Sequence, residues 1–347
     1  MRLDAFDYHL PRSLIAQSPL EDRTASRLLV VDRATGRFEH ATFRDLPQDL
    51  TPGDVLVVNR SRVIRARLFV RRPSGGRIEL FVTRVVDDQR FTALAHPMRR
   101  ARIGERLSGE NGGFECRVVA RENDREVRVE ITPPHAVHDV LETHGHVPLP
   151  PYIERADEAS DRERYQTVFA SEKGSVAAPT AGLHFTDDLL SRVRSRGVDV
   201  RSIVLHVGLG TFLPLDREQV EDNTLQKERF SVSGATLADI AGAKSAGRKV
   251  VAVGTTVSRV LETVSSRGLF RDFDPTGEYE GATDLFIYPG YEFRCVDRLI
   301  TNFHLPKSSL LLLVCAFLGR EKTLTCYEAA VKNEYRFYSY GDAMLIR

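Results

Sequence analysis

The feature that most constrains the fold is a change of periodicity partway along the chain. Between about Val63 and Pro148, apolar residues recur at every second position in short runs. The runs are Arg67 to Val70, Ile78 to Val86, Arg90 to Ala95, Glu115 to Ala120 and Glu126 to Ile131. Gly75-Gly76, Asp87-Asp88, Gly112-Gly113 and Asn123-Asp124 separate them. A period of two sends alternate side chains to opposite faces of a strand, so short runs divided by turn residues predict a small β-barrel or sandwich. Pro133-Pro134, then Pro148, Pro150 and Pro151, mark the way out. On both sides of this block helices and strands alternate, the pattern of an α/β protein. The expected architecture is therefore α/β and multidomain. A large mixed α/β domain, residues 1–62 and 149–347, is interrupted by an inserted β-barrel domain, residues 63–148.

Outside the insertion, Leu10 to Ala16 reads as a short helix, and Arg27 to Val31 and Asp54 to Asn59 as strands. Ala235 to Ala246 reads as a helix ended by Gly247. Lys249 to Val253 is a continuous apolar strand of the buried parallel kind, and a helix from Val257 to Ser265 follows. Asp284 to Tyr288 and Arg298 to Thr301 read as strands. Leu310 to Leu318 is apolar all round, a buried helix too short to span a bilayer.

Bulk properties exclude some classes. The formal net charge is +1, so contact with nucleic acid must come from a local basic patch. Cys116, Cys295, Cys315 and Cys326 are scattered, as expected of reduced thiols in a cytoplasmic protein. His135, His138, His144 and His146 lack the cysteine or carboxylate partners of a metal site, so no metal is expected.

Gly174 to Thr186, GSVAAPTAGLHFT, is built of small residues with one proline and one histidine. Small side chains let backbone approach a ligand. Thr186 is placed to cap a helix whose first turn holds Asp187 and Asp188 and which Gly197 ends. Three further loops follow expected strands: His206 to Thr211 (HVGLGT), Gly254-Thr255-Thr256, and Thr301 to Lys307 (TNFHLPK). In a largely parallel sheet all four would meet at one edge. The candidate ligand-binding residues are Pro179, Thr180, Ala181 and Gly182; Gly208, Gly210 and Thr211; Gly254, Thr255 and Thr256; and Asn302 and Phe303. HVGLGT lacks the third glycine of a dinucleotide-binding fingerprint.

The stretch DRERYQTVFASEKGSVAAPTAGLHFT, from Asp161 to Thr186, resembles the signature of the S-adenosylmethionine:tRNA ribosyltransferase-isomerase family of queuosine biosynthesis. Blocks in family order run from LDAFDYHLPRSLIAQSP through VNRSRVIRARL, PLPPYIER, VGTTVSRVLET and LITNFHLPKSSLLLLV to YRFYSYGDAMLI. The resemblance implies an enzyme that moves the ribosyl part of S-adenosylmethionine to the aminomethyl group of 7-aminomethyl-7-deazaguanine in tRNA. It isomerises that group to the epoxide of epoxyqueuosine and releases adenine and methionine. It implies S-adenosylmethionine as donor substrate, tRNA as partner, no membrane and a monomer.

Such chemistry needs a base for the proton at C5′, which the neighbouring sulfonium acidifies. The candidates are His184, His206, His304 and Glu228. The family carries a His-x-Met-His-x-Glu block; the corresponding residues here are Asn223 to Glu228, NTLQKE, so both histidines are replaced and the glutamate stays. Arg60, Arg62, Arg65 and Arg67 form the candidate RNA-binding patch, with Arg65 and Arg67 expected on one face of a strand. The Asn223 and Gln226 replacements leave two alternatives open. One is a diverged paralogue acting on a small-molecule acceptor. The other is a non-catalytic RNA- or nucleoside-binding protein.

Overall fold

The computed structural model describes residues 1–208, 210 and 215–347. Its strands are β1 (Arg27–Val31), β2 (Phe38–Thr42), β3 (Val55–Asn59), β4 (Ser61–Val63), β5 (Arg67–Arg71), β6 (Arg77–Val85), β7 (Arg90–His96), β8 (Arg106–Gly109), β9 (Glu115–Arg121) and β10 (Glu126–Ile131). After helices α1 (Val137–His144) and α2 (Asp161–Arg164) come β11 (Glu172–Ser175), α3 (Asp187–Ser195), β12 (Asp199–Leu205), β13 (Glu228–Ser233) and α4 (Gly234–Ser245). The chain continues with β14 (Val250–Val253), α5 (Thr255–Ser266), β15 (Glu278–Thr283), β16 (Arg298–Asn302), α6 (Ser309–Leu318), α7 (Arg320–Lys332) and β17 (Ala343–Ile346).

Six of these strands close into a barrel, in the order β10-β7-β6-β5-β8-β9. Its alternating residues supply the barrel core, from Leu68, Val70 and Ile78 to Val129 and Ile131. A nine-stranded mixed sheet, β15-β13-β12-β3-β14-β16-β17-β1-β2, takes strands from both sides of the barrel in sequence. At its centre β12, β3, β14 and β16 run parallel. The central pair, β3 and β14, is apolar on both faces because helices cover both. The fold is thus α/β with a six-stranded antiparallel barrel, as the periodicity predicts.

Three local expectations are corrected. Asp284 to Tyr288 is not a strand; the strand lies just upstream as β15. The guanidinium of Arg259 takes the Leu285 carbonyl, and Leu285 N–H goes to the Thr283 hydroxyl, so neither joins a ladder. Between Leu10 and Ala16 only a 3-10 turn forms, Arg12–Leu14. The chain there pairs with Phe337 instead, through Ala16 N–H and Leu14 O. Arg65 and Arg67 do not share a strand face, because β5 begins at Arg67. Strand β8 was not foreseen: four residues containing one arginine and one glycine carry little β signal.

Candidate functional site

The C-terminal ends of β12, β14 and β16 open onto a cavity of about 450 Å³. After β14 the chain turns at Gly254, whose φ of +93° suits glycine, straight into α5. After β16 it runs through Asn302 and His304 to Ser308, whose hydroxyl caps α6 by accepting from Leu311 N–H. The first turns of both helices therefore border the cavity. Their free N–H groups and positive dipole ends face it. Opposite them stands the small-residue segment Ala177 to Ala181. It follows β11, which pairs with β4 in a separate two-stranded sheet rather than in the main sheet. Thr186 does cap α3, accepting from Leu189 N–H at 3.2 Å.

Three buried polar atoms in the walls have no hydrogen-bond partner: Thr256 Oγ1, Asn302 Oδ1 and the Tyr338 hydroxyl. Buried polar groups are nearly always satisfied, so three around one cavity mark where a ligand's polar groups belong. The Tyr152 and Tyr338 rings, with centroids 4.0 Å apart and planes tilted by 42°, form an aromatic corner of the wall.

The expected ligand-binding residues divide. Pro179, Thr180, Ala181, Gly254, Thr255, Thr256 and Asn302 all line the cavity. Gly182 packs away from it, so tightly that a Cβ would sit 2.7 Å from Phe169. Phe303 is wholly buried in an aromatic cluster with Tyr327, Tyr335 and Phe337. The loop after β12 borders the cavity through Val207 and Leu215. Gly208 instead gives its N–H to Glu228 Oε1 at 2.9 Å. Gly210 edges a small adjoining cleft with Gln226, Glu228 and Arg259. Thr211 lies outside the described residues.

Of the expected bases, only His304 lines the cavity. Its Nε2 is 2.8 Å from the Thr301 hydroxyl, and burial pushes the imidazole down to about 3. His184 stands one hydrogen bond further out. Its Nδ1 is 2.9 Å from Ser26 Oγ and its Nε2 3.2 Å from Asn302 Nδ2. Ser26 Oγ already donates to the Arg23 carbonyl, so His184 Nδ1 is the donor in that pair and Nε2 accepts from Asn302. Burial, helped by Arg23 and Arg336, holds His184 at about 3. It is thus a neutral positioning group that fixes the Asn302 amide. His206 is half-buried with its Nδ1 unsatisfied, and burial lowers its pKa. Glu228 is buried and ion-paired with Arg259. It holds the loop at Gly208 rather than facing the cavity.

Asn223 is wholly engaged with backbone, accepting from Asp216 and Arg217 N–H and donating to the carbonyls of Arg217, Gln219 and Val220. Of the arginines, Arg60 pairs with Glu172 at 2.6 Å and Arg67 with Glu79 at 2.9 Å. Arg62 and Arg65 line a separate cavity. Sequence reasoning missed Tyr338 and Ser339 as wall residues; they come from a distant segment and nothing local marks them. Among the described residues, no cluster of three His, Cys, Asp or Glu could hold a metal ion, and no helix is long and apolar enough to cross a membrane.

Comparison with known proteins places the whole chain. Residues 3–346 match the model of a family described as queuosine biosynthesis protein. An S-adenosylmethionine:tRNA ribosyltransferase-isomerase of Carboxydothermus hydrogenoformans is 47% identical over 346 residues, all of both chains. One from Solibacter usitatus is 48% identical, again over the whole of both. The crystal structure of S-adenosylmethionine tRNA ribosyltransferase from Thermotoga maritima is 34% identical, covers 99% of this chain and all of its own, and superposes with a TM-score of 0.56. With a family match over nearly every residue and relatives matched end to end, the chain belongs to the S-adenosylmethionine:tRNA ribosyltransferase-isomerase family of queuosine biosynthesis.

Proposed function

We propose that this protein transfers and isomerises the ribosyl moiety of S-adenosylmethionine onto the aminomethyl group of 7-aminomethyl-7-deazaguanine in tRNA. The products are epoxyqueuosine in the RNA, adenine and methionine. The observation that carries the reading is the cavity with its three unsatisfied polar atoms and two helix N-termini. A helix N-terminus suits the donor's carboxylate. A ring face of the Tyr152–Tyr338 pair suits a base, and Thr256 and Asn302 offer partners to a ribose. Of the candidate bases, His304 alone reaches the wall, and we assign it the proton at C5′ on that ground. Gly182, Phe303, His184, His206 and Glu228 act behind the wall as supports. The protein works as a cytoplasmic monomer, with no metal in the reaction. A small-molecule acceptor is not favoured, since relatives matched over their full length are named for tRNA. A purely binding role is disfavoured by the same names.

The test is mass spectrometry after incubation with S-adenosylmethionine and tRNA carrying the aminomethyl base. Free adenine together with the mass of epoxyqueuosine in the RNA is expected. Adenine release with no change in the RNA would move the acceptor to a small molecule, and no adenine release would end the enzyme reading.

A further inference from the structure

A second cavity, about 460 Å³, lies where the barrel meets the sheet domain. The cluster formed by Val63, Val147, Leu149, Tyr165, Ala178 and Leu183 stands between the two cavities. Ala178 faces the first, and Val63 and Val147 face the second. The second cavity is lined by the apolar groups Val63, Ile64, Leu141, Val147, Pro148 and Val168. Its charged lining is mostly basic: Arg23, Arg62, Arg65, Arg162 and Lys173 against the acids Glu142, Glu163 and Asp187.

The charges are unevenly spent. Arg23 donates to the carbonyls of Leu183 and Glu163, Arg65 to that of Glu142, and Lys173 pairs with the Glu142 carboxylate at 3.0 Å. Arg62 and Arg162 are exposed and make no ion pair or side-chain hydrogen bond with any described residue. Arg62, Arg65 and Arg162 line the same cavity, and burial, then the like charges of Arg162 and Arg62, depress the Arg65 guanidinium against the opposing pull of Glu142 and Asp157. The lining carries five basic groups against three acids, and a surplus of like charge is relieved when an anion joins it. Thr167, in the same wall, keeps a buried hydroxyl with no partner. Apolar lining groups, a surplus of basic ones and a volume in the range of small-molecule sites fit one nucleotide, its phosphate on the arginines.

We infer that this cavity is a second nucleotide pocket, which takes a nucleotide of the acceptor RNA neighbouring the one modified, with its phosphate held by Arg62, Arg65 and Arg162. The inference rests on the tRNA reading above. It also divides the arginine patch. Arg60 and Arg67, already paired with Glu172 and Glu79, contribute little to RNA binding. Arg162, which belongs to α2 and not to the patch, contributes much.

The test measures binding of an unmodified tRNA transcript across a range of salt, for wild type, R62A/R162A, and R99A/R102A as a control. All four side chains are exposed. Neutralising one phosphate contributes about 0.7–0.9 to the salt slope, so losing its hold should lower the slope by about that much and weaken binding roughly fivefold at about 0.1 M salt. Unchanged unfolding temperatures show that the fold is kept. The control should bind as wild type does. Equal loss in R62A/R162A and R99A/R102A would overturn the inference, because the effect would then be general charge. So would wild-type affinity in R62A/R162A. If inorganic phosphate stabilises wild type but not R62A/R162A while tRNA binding is equal, the site takes free phosphate and the RNA assignment falls. If wild type does not bind tRNA at all, the tRNA reading itself fails, and the inference with it.

Discussion

The two imidazoles beside the cavity make stability depend on pH in a way that can be worked out. Burial holds His184 and His304 at about 3, against an ordinary value of 6.5. A histidine that stays neutral when folded but takes a proton when unfolded stabilises fully above 6.5. That contribution is lost as pH falls from 6.5 toward 3. At pH 5 the unfolded chain holds the proton almost completely and the folded chain hardly at all. Relative to pH 8 the loss is RT ln(1 + 10^1.5), about 2 kcal/mol per histidine. His304→Gln keeps a polar group beside Thr301 but cannot titrate. The variant will be less stable at pH 8, and its deficit against wild type should shrink by about 2 kcal/mol by pH 5. Urea unfolding at pH 8, 7, 6 and 5 measures this directly. Parallel curves for the two proteins would refute the reasoning, since they would mean that His304 takes up its proton in the folded state.

Other substitutions test the framework around the cavity. Glu228→Gln leaves Arg259 buried without its carboxylate and should cost on the order of 3–5 kcal/mol in thermal or urea unfolding. Adding Arg259→Met should restore much of it, whereas a role for Glu228 in proton transfer alone would leave stability untouched. Gly254→Ala forces a side chain to φ +93° at the mouth of α5. It should cost roughly 1–3 kcal/mol and weaken S-adenosylmethionine binding, read by calorimetry. Asn223→His removes the amide that holds the 216–223 loop by five backbone contacts and should lower stability by about 2–3 kcal/mol. Gln226→His, at the edge of the adjoining cleft, should fold normally. Any gain in turnover from restoring the family's histidines will therefore come from position 226.

Much of this protein was legible along the chain. Period-two alternation marked the barrel because every second residue of a closed barrel must face inward, whatever the order of the strands. Continuous apolar runs such as Val250 to Val253 marked the centre of a sheet covered on both faces. The loops at Pro179, Gly254 and Asn302 were found because small residues and helix starts carry local signals. What the sequence left open depends on side chains meeting across long separations. Asp284 to Tyr288 has strand composition, yet Arg259, 26 residues before Leu285, claims that residue's carbonyl. His184 and His304 look alike as residues. Only the packing of Ser26 and Asn302 against His184 sets it behind the wall and leaves His304 in it. Seven arginines between Arg60 and Arg77 read as one basic stretch. Tertiary structure decides which of them meet Glu79 and Glu172 and which stay unspent, because an ion pair depends on distance in space and not on position along the chain.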